Sequence, residues 1–156
     1  LAAAVLVGGA VLADETGRRV THGSTAYGNP AWSTASPFPG LFYGLPAAIG
    51  LLVLAVVTVG ALWVVADRPA VATEDDRIES ALRRASAHRV LRAAVAATLV
   101  VAGGPLLVGG MAAANVGALS LPGWAGALPG LLTALAGLVV GFVRAPGVPA
   151  DQPASV

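Results

Sequence analysis

Residues 93–143 form a run of 51 consecutive positions without a charged side chain. As one helix, this run would be about 75 Å long, more than twice the roughly 30 Å hydrocarbon core of a bilayer. The turn-forming segment Ser120-Leu121-Pro122-Gly123-Trp124 interrupts the run near its middle. The sequence therefore predicts two membrane-spanning helices, at about 93–118 and 121–143, joined by a short turn.

Two further apolar runs extend this prediction. The uncharged run 41–66 is long enough to span a bilayer, whereas the apolar run 1–13 is too short to do so comfortably. We interpret the run 1–13 as the tail of a truncated first span. A signal-peptide hydrophobic region that ends at Val11-Leu12-Ala13 is the alternative. The predicted fold class is all-α, a multi-pass α-helical transmembrane bundle of four spans.

The composition agrees with a membrane protein. Hydrophobic residues make up 56% of the chain, charged residues only 11%, and the mean hydropathy is +0.80. The net charge of +1 gives no argument for a nucleic-acid partner, and the absence of cysteine excludes disulfides and thiol chemistry. All nine basic residues are arginine, which together with abundant Ala, Gly, Val and Leu suggests a GC-rich bacterial genome.

The segments between the spans differ in character. The outer segment, 14–40, is polar and rich in turn residues; a small hairpin can form near Val20, and 27–40 is expected to be irregular. The 67–92 linker holds six Arg and five acidic residues, and we predict a helix there from about residue 74 that continues into the third span. Pro105 predicts a kink in that span, and the Pro-rich tail 145–156 is expected to be disordered.

Arginine placement predicts the orientation. The 67–92 linker and Arg144 contribute seven arginines, whereas the outer segment contributes two, Arg18 and Arg19. Successive spans alternate sides, so these two groups fall on opposite faces of the membrane. Because cytoplasmic loops carry excess Arg, we expect the linker and the C-terminus to be cytoplasmic in the plasma membrane.

Small residues recur on one face of each of the last two predicted spans, where close backbone approach favours helix association in lipid. They are Gly126, Gly130, Ala134, Gly137 and Gly141 on the fourth span, and Gly103, Gly110 and Ala114 on the third. Two interpretations stay open, packing within one bundle and contact between two copies of the chain. Asn115, near the outer end of the third span, is a candidate for a hydrogen bond between helices.

No sequence pattern identifies a catalytic, cofactor or metal site. No Asp, Glu, Lys, Arg or His lies in the interior of a predicted span, which argues against a proton-coupled transporter. His22 and His88 fall on opposite sides of the predicted topology, so they cannot share one metal or haem. No nucleophile-elbow or phosphate-loop motif occurs.

The functional hypotheses therefore rest on surfaces. We expect a structural or accessory subunit that contacts the lipid bilayer and a membrane-protein partner or a second copy of the chain. The alternative is a small-solute permease or transporter component, and a third option is a membrane enzyme that uses Asp14, Glu15 and His22. Candidates for contact with a partner or with anionic lipid are Arg77, Arg83, Arg84, Arg89 and Arg92.

Overall fold

The computed structural model describes residues 2–26, 28–69, 76–116 and 120–144. The elements in these ranges are α1 (Ala2–Leu12), β1 (Val20–Ala26), β2 (Asn29–Ala35), α2 (Leu41–Asp67), α3 (Asp76–Ala114) and α4 (Ser120–Phe142). Within the described ranges, α2, α3 and α4 are long and apolar enough to cross a membrane, which confirms the prediction of three long apolar helices. Helix α1, with 11 residues, is shorter than a membrane span.

Four of the six described elements are helices, and the other two form the antiparallel β1–β2 hairpin. A hairpin was expected near Val20, but strand β2 corrects the expectation of an irregular 27–40 segment. Its register runs from the Val20–Ala35 pair to the Ala26–Asn29 pair, and Gly28 in the connecting loop has a φ of +79°. Strand β2 lacks a regular apolar alternation, so its sequence gave no strand signal. Thr34 and Trp32 of β2 nevertheless belong to residue types that favour strands. Across the hairpin, the hydroxyl oxygens of Thr21 and Thr34 lie 3.3 Å apart.

The hairpin base packs against the end of α3. Val20 and Phe38 are buried there with Ala112 and Val116 of the α3 end. The backbone N–H of Phe38 donates to the Arg18 carbonyl at 2.9 Å, which joins the two ends of the outer segment. The outer segment is therefore an ordered unit built on the helices.

The connection between α3 and α4 lies earlier than predicted. Helix α3 ends at Ala114 rather than at 118, and residues 117–119 lie outside the described ranges. The predicted interruption at 120–124 is wrong, because Pro122 lies in the first turn of α4, where a missing N–H donor leaves no helical bond unmade.

Asn115 follows α3 directly, and its side-chain amide hydrogen-bonds to its own helix. Its Nδ2 donates to the Met111 carbonyl at 2.8 Å, so the side chain satisfies an acceptor at the end of its own helix. The interhelical role expected for it stays a prediction. Thr58 and Thr98 likewise donate to carbonyls four residues earlier in their own helices, at 2.7 and 2.8 Å.

Helix α3 organises the bundle. It runs for 39 residues without interruption across the boundary between the charged linker and the apolar run. Helix α4 packs along its apolar part, while α1 and α2 contact α3 and each other. Pro105 lies inside α3, and the kink expected there stays a prediction. The linker start at 70–75 and the tail 145–156 lie outside the described residues.

Candidate functional site

The contact between α3 and α4 is formed by backbone against backbone. A Cβ added at Gly103 would lie 2.5 Å from the Ala134 nitrogen and 2.6 Å from the Gly130 oxygen. A Cβ at Gly110 would lie 2.7 Å from the Gly123 oxygen. Because real Cβ atoms do not approach backbone this closely, only glycine fits at these positions without a shift of the helices.

The same closeness recurs along α4. A Cβ at Gly130 would lie 2.8 Å from the Leu106 carbonyl carbon, and one at Gly137 would lie 2.8 Å from the Ala96 oxygen. We call this contact the α3–α4 seam. Its residues are Gly103, Gly110 and Ala114 on α3, and Gly123, Ala127, Gly130, Ala134 and Gly137 on α4.

Two seam residues, Gly123 and Ala127, are absent from the sequence prediction. A Cβ at Gly123 would lie 2.6 Å from Ala114 Cα, and Ala127 is only 1% exposed. The α4 seam positions step by four, three, four and three residues, which matches the 3.6-residue helical period. The small-xxx-small pair formed by these two residues was the available signal.

Gly126 and Gly141 lie at the margin of the seam rather than in it. A Cβ at Gly126 would lie 3.7 Å from Gly110 Cα, and one at Gly141 would lie 3.7 Å from Ala96 Cβ. These are ordinary van der Waals distances. The eight small residues singled out in the sequence thus all lie on α3 or α4, but these two have room for a side chain.

The charged first part of α3, residues 76–92, is called the α3 extension. Arg83 attaches it to the end of α2, because its guanidinium donates to the Arg68 carbonyl at 3.0 Å and to the Ala66 carbonyl at 3.4 Å. Its Nε also pairs with Glu79 Oε1 at 2.9 Å. The negative end of the α2 helix dipole stabilises a cation at these carbonyls.

The other arginines of the extension lie on different faces of the helix from Arg83. At about 100° per residue, Arg77 and Arg84 share one face of the helix, and Arg83 lies about 120° away from Arg77. Arg84 and Arg89 are exposed, and Arg84 lies 3.4 Å from the Ser80 hydroxyl. The candidate arginines therefore do not form a single patch.

Two polar atoms of the extension are buried without a hydrogen-bond partner. They are His88 Nδ1 and Arg92 Nε, four residues apart on α3. Buried polar atoms in folded proteins are normally paired, so each such atom calls for an explanation. No sequence pattern singles out this pair, because burial is set by the packing of α3.

A cavity of about 430 Å³ lies between α1, α3, α4 and the outer segment. Its α3 lining includes Pro105, Gly109 and Gly110, and the outer segment contributes Phe38 and Pro39. Every residue that lines it is apolar, glycine or proline. The cavity can hold an apolar group, but its walls offer no side chain that would bind a polar solute.

The acid–base residues of the outer segment have structural contacts. The Asp14 carboxylate accepts from the Thr16 hydroxyl at 2.7 Å and from the backbone N–H groups of Arg18 and Arg19 at 3.4 Å. These hydrogen bonds, the Thr16 bond first, lower the pKa of Asp14. Asp14 thus stabilises the turn before β1, and His22 lies separately on that strand.

Within the described ranges, no group of three or more His, Cys, Asp or Glu residues is placed to hold a metal ion. No family model, curated protein or solved structure matches this chain. Function must therefore be inferred from the seam, the α3 extension and the cavity.

Proposed function

We propose that this chain is a multi-pass integral membrane protein that acts as a structural or accessory subunit. In this proposal the α3–α4 seam holds the bundle together, and the α3 extension is the surface for a partner protein. The proposed topology has four spans, with α1 belonging to the first, in the plasma membrane of a bacterium. The α3 extension and the C-terminus face the cytoplasm because they carry most of the arginines.

The geometry of α3 is the observation that carries this proposal. Its 39 residues make a helix of about 58 Å, roughly twice the hydrocarbon thickness of a bilayer. About half of α3 therefore projects beyond the hydrocarbon core if the apolar half spans it. Arg83 fixes the projecting half to α2, so Arg84 and Arg89 are displayed in a defined orientation.

The outer face of α2 supports the same role. Large apolar side chains such as Leu52, Val56 and Trp63 are 65–69% exposed, and nothing lies within 4 Å of a Cβ placed on Gly50 or Gly60. In a membrane such a face meets either lipid or the helix of another protein. A subunit with a tight internal pair and one loosely covered helix suits assembly in the bilayer.

The test is purification of the full chain from its native membrane in mild detergent after crosslinking. We expect a partner protein to co-purify, and the double charge reversal Arg84→Glu with Arg89→Glu to remove it. Arg19→Glu, the same change in the outer segment, should leave the complex intact. A chain that is monomeric, has no partner and transports a solute in liposomes would refute the subunit role.

A permease for a small apolar solute is the second candidate, and the cavity favours it. Pro105 and Gly109 line that cavity, so a movement of α3 at its internal proline would change the cavity's size. Solute flux into liposomes that falls when Gly109 is replaced by Leu would support this candidate over the accessory role.

A further inference from the structure

We propose that His88 and Arg92 bind the phosphate of an anionic phospholipid headgroup. The starting observation is the pair of buried, unpaired atoms His88 Nδ1 and Arg92 Nε. A residue and its fourth successor lie on neighbouring positions of one helix face, so the two side chains can reach a common ligand. This site rests on the proposal that the chain is inserted in a membrane, but it does not depend on the proposed role as an accessory subunit.

The position of Arg92 along α3 selects the ligand. It is the last charged residue before the uncharged run 93–143, so it lies where a bilayer places its phosphate groups. Basic pockets beside membrane helices on this type of Arg-rich side bind anionic headgroups. A soluble acidic peptide would not be held at this depth.

The charge around the pair is positive. Arg83 contacts the carbonyls of Ala66 and Arg68, so the end of α2 and its Asp67 lie beside Arg83. That level is nine residues, about 13 Å, along α3 from Arg92. Asp67 therefore lies at the level of Arg83 and not at that of Arg92.

Helix α4 adds a further cation. Gly137 and Gly141 face Ala96 in the antiparallel α3–α4 pair. Continuing this pairing by three residues brings Arg144 to the level of Arg92. Among the described residues, the acid nearest to Arg92 along α3 is Glu79, which pairs with Arg83 instead.

The chemistry of the two side chains fits a phosphate diester. The Nε and one terminal nitrogen of Arg92 form an edge that donates two parallel hydrogen bonds to two phosphate oxygens. His88 Nδ1, when it carries the proton, donates to the same phosphate. Both atoms are closed to solvent in the structure, so the two side chains must turn outward to reach the phosphate, which then satisfies both atoms and neutralises one arginine charge.

Native mass spectrometry of the purified full chain tests the site. The probes are phosphatidylglycerol and phosphatidylcholine with identical acyl chains, supplied in equal amounts. We expect the wild-type chain to retain phosphatidylglycerol about tenfold more than phosphatidylcholine. Both lipids carry a phosphate diester, but the ammonium group of choline cancels its charge, so only phosphatidylglycerol offers Arg92 a net anion. Equal retention of the two lipids overturns the proposal without recourse to any variant.

Matched variants locate the site. Arg92→Gln should abolish the preference for phosphatidylglycerol, and Arg92→Lys should restore part of it, because Lys keeps the charge but lacks the two-nitrogen edge. Arg89 is an exposed arginine three residues earlier, and the Arg89→Gln variant should keep the full preference for phosphatidylglycerol. If Arg89→Gln lowers the preference as much as Arg92→Gln does, the lipid binds by general surface charge and the site is refuted.

A competition experiment distinguishes binding of a lipid headgroup from binding of a free anion. Inorganic phosphate, at the same total phosphate concentration, should compete poorly with phosphatidylglycerol for the wild-type chain. If inorganic phosphate displaces the lipid, or if Arg92→Gln loses a co-purifying acidic protein while lipid retention is unchanged, the headgroup proposal is wrong.

Discussion

The α3–α4 seam and the outer face of α2 use the same small and apolar residue types, yet they pack in opposite ways. At Gly103 and Gly110 the facing backbone leaves no space for a side chain, whereas nothing lies within 4 Å of a Cβ on Gly50 or Gly60. Glycine content alone therefore does not predict a helix contact. The difference lies in how the glycines are spaced.

Spacing decides which glycines share a face. The α4 seam residues from Gly123 to Gly137 follow steps of four and three, which keep them on one side of the helix. On α2, Gly44, Gly50 and Gly60 are separated by six and ten residues, so they point in different directions. Helix α2 consequently presents branched and aromatic side chains over most of its surface, and it contacts α3 less closely than α4 does.

The largest expected effect is at the seam. Gly130→Leu and Gly137→Leu should each lower the thermal stability of the detergent-solubilised chain, because the added side chain must push α3 and α4 apart. Overpacking costs about 1–3 kcal/mol, and backbone contacts place these sites at the upper end. Thermal unfolding followed by circular dichroism measures the shift.

The control for this effect is on the same helix. Val139 is 65% exposed, so Val139→Leu should leave the melting temperature close to that of the wild-type chain. If Gly130→Leu and Gly137→Leu had the melting temperature of the wild-type chain, α3 and α4 would separate without cost. That result would contradict the contrast between the seam and α2.

A moderate effect is expected where α2 joins the α3 extension. Arg83→Gln removes the charged donors to the Ala66 and Arg68 carbonyls and leaves Glu79 without this cation. The Arg83 side chain is 41% exposed, so solvent screening limits the loss to about 1 kcal/mol. Hydrogen exchange at the last turn of α2 should become faster.

The neighbouring Arg84 provides the comparison for that experiment. Its side chain is exposed, and its distance to the Ser80 hydroxyl is 3.4 Å, so Arg84→Gln should leave exchange in α2 unchanged. Equal acceleration in both variants would mean that net charge, not the contact with α2, orders this region.

The smallest effect concerns the turn before β1. The pKa of Asp14 is lowered, first by the Thr16 hydrogen bond, so its contribution to stability is present above the ordinary carboxyl value of about 4. That contribution is lost as the pH falls through the lower pKa of the folded state. Asp14→Asn should therefore melt slightly below the wild type at pH 7, and the difference should shrink as the pH falls below the ordinary carboxyl value. A difference that does not change as the pH is lowered would contradict this role of the carboxylate.

The sequence predicts the helices better than it predicts their ends and surroundings. Uncharged runs reveal α2, α3 and α4, because a long apolar helix is a property of local composition. A hairpin was expected near Val20, but its second strand was missed, since β2 is stabilised by pairing with β1 and not by its own pattern. Prolines near the start of α4 suggested a break, although the first turn of a helix accepts them.

The candidate surfaces show the same division. Small-residue periodicity marks α3 and α4, but only coordinates separate Gly130, which meets backbone, from Gly126, which has room for a side chain. The burial of His88 Nδ1 and Arg92 Nε depends on the neighbours of α3, which no local pattern encodes. Likewise, the link from Arg83 to the end of α2 joins residues 15 and 17 positions apart.

The most direct test of the seam uses two adjacent residues of α3. A Cβ at Gly103 would lie 2.5 Å from the Ala134 nitrogen, whereas nothing lies within 4 Å of a Cβ at Gly104. Gly103→Ala should lower the melting temperature of the detergent-solubilised chain, and Gly104→Ala should leave it unchanged or raise it slightly, as Ala favours a helix. Equal melting temperatures for the two variants would contradict a backbone-to-backbone contact between α3 and α4.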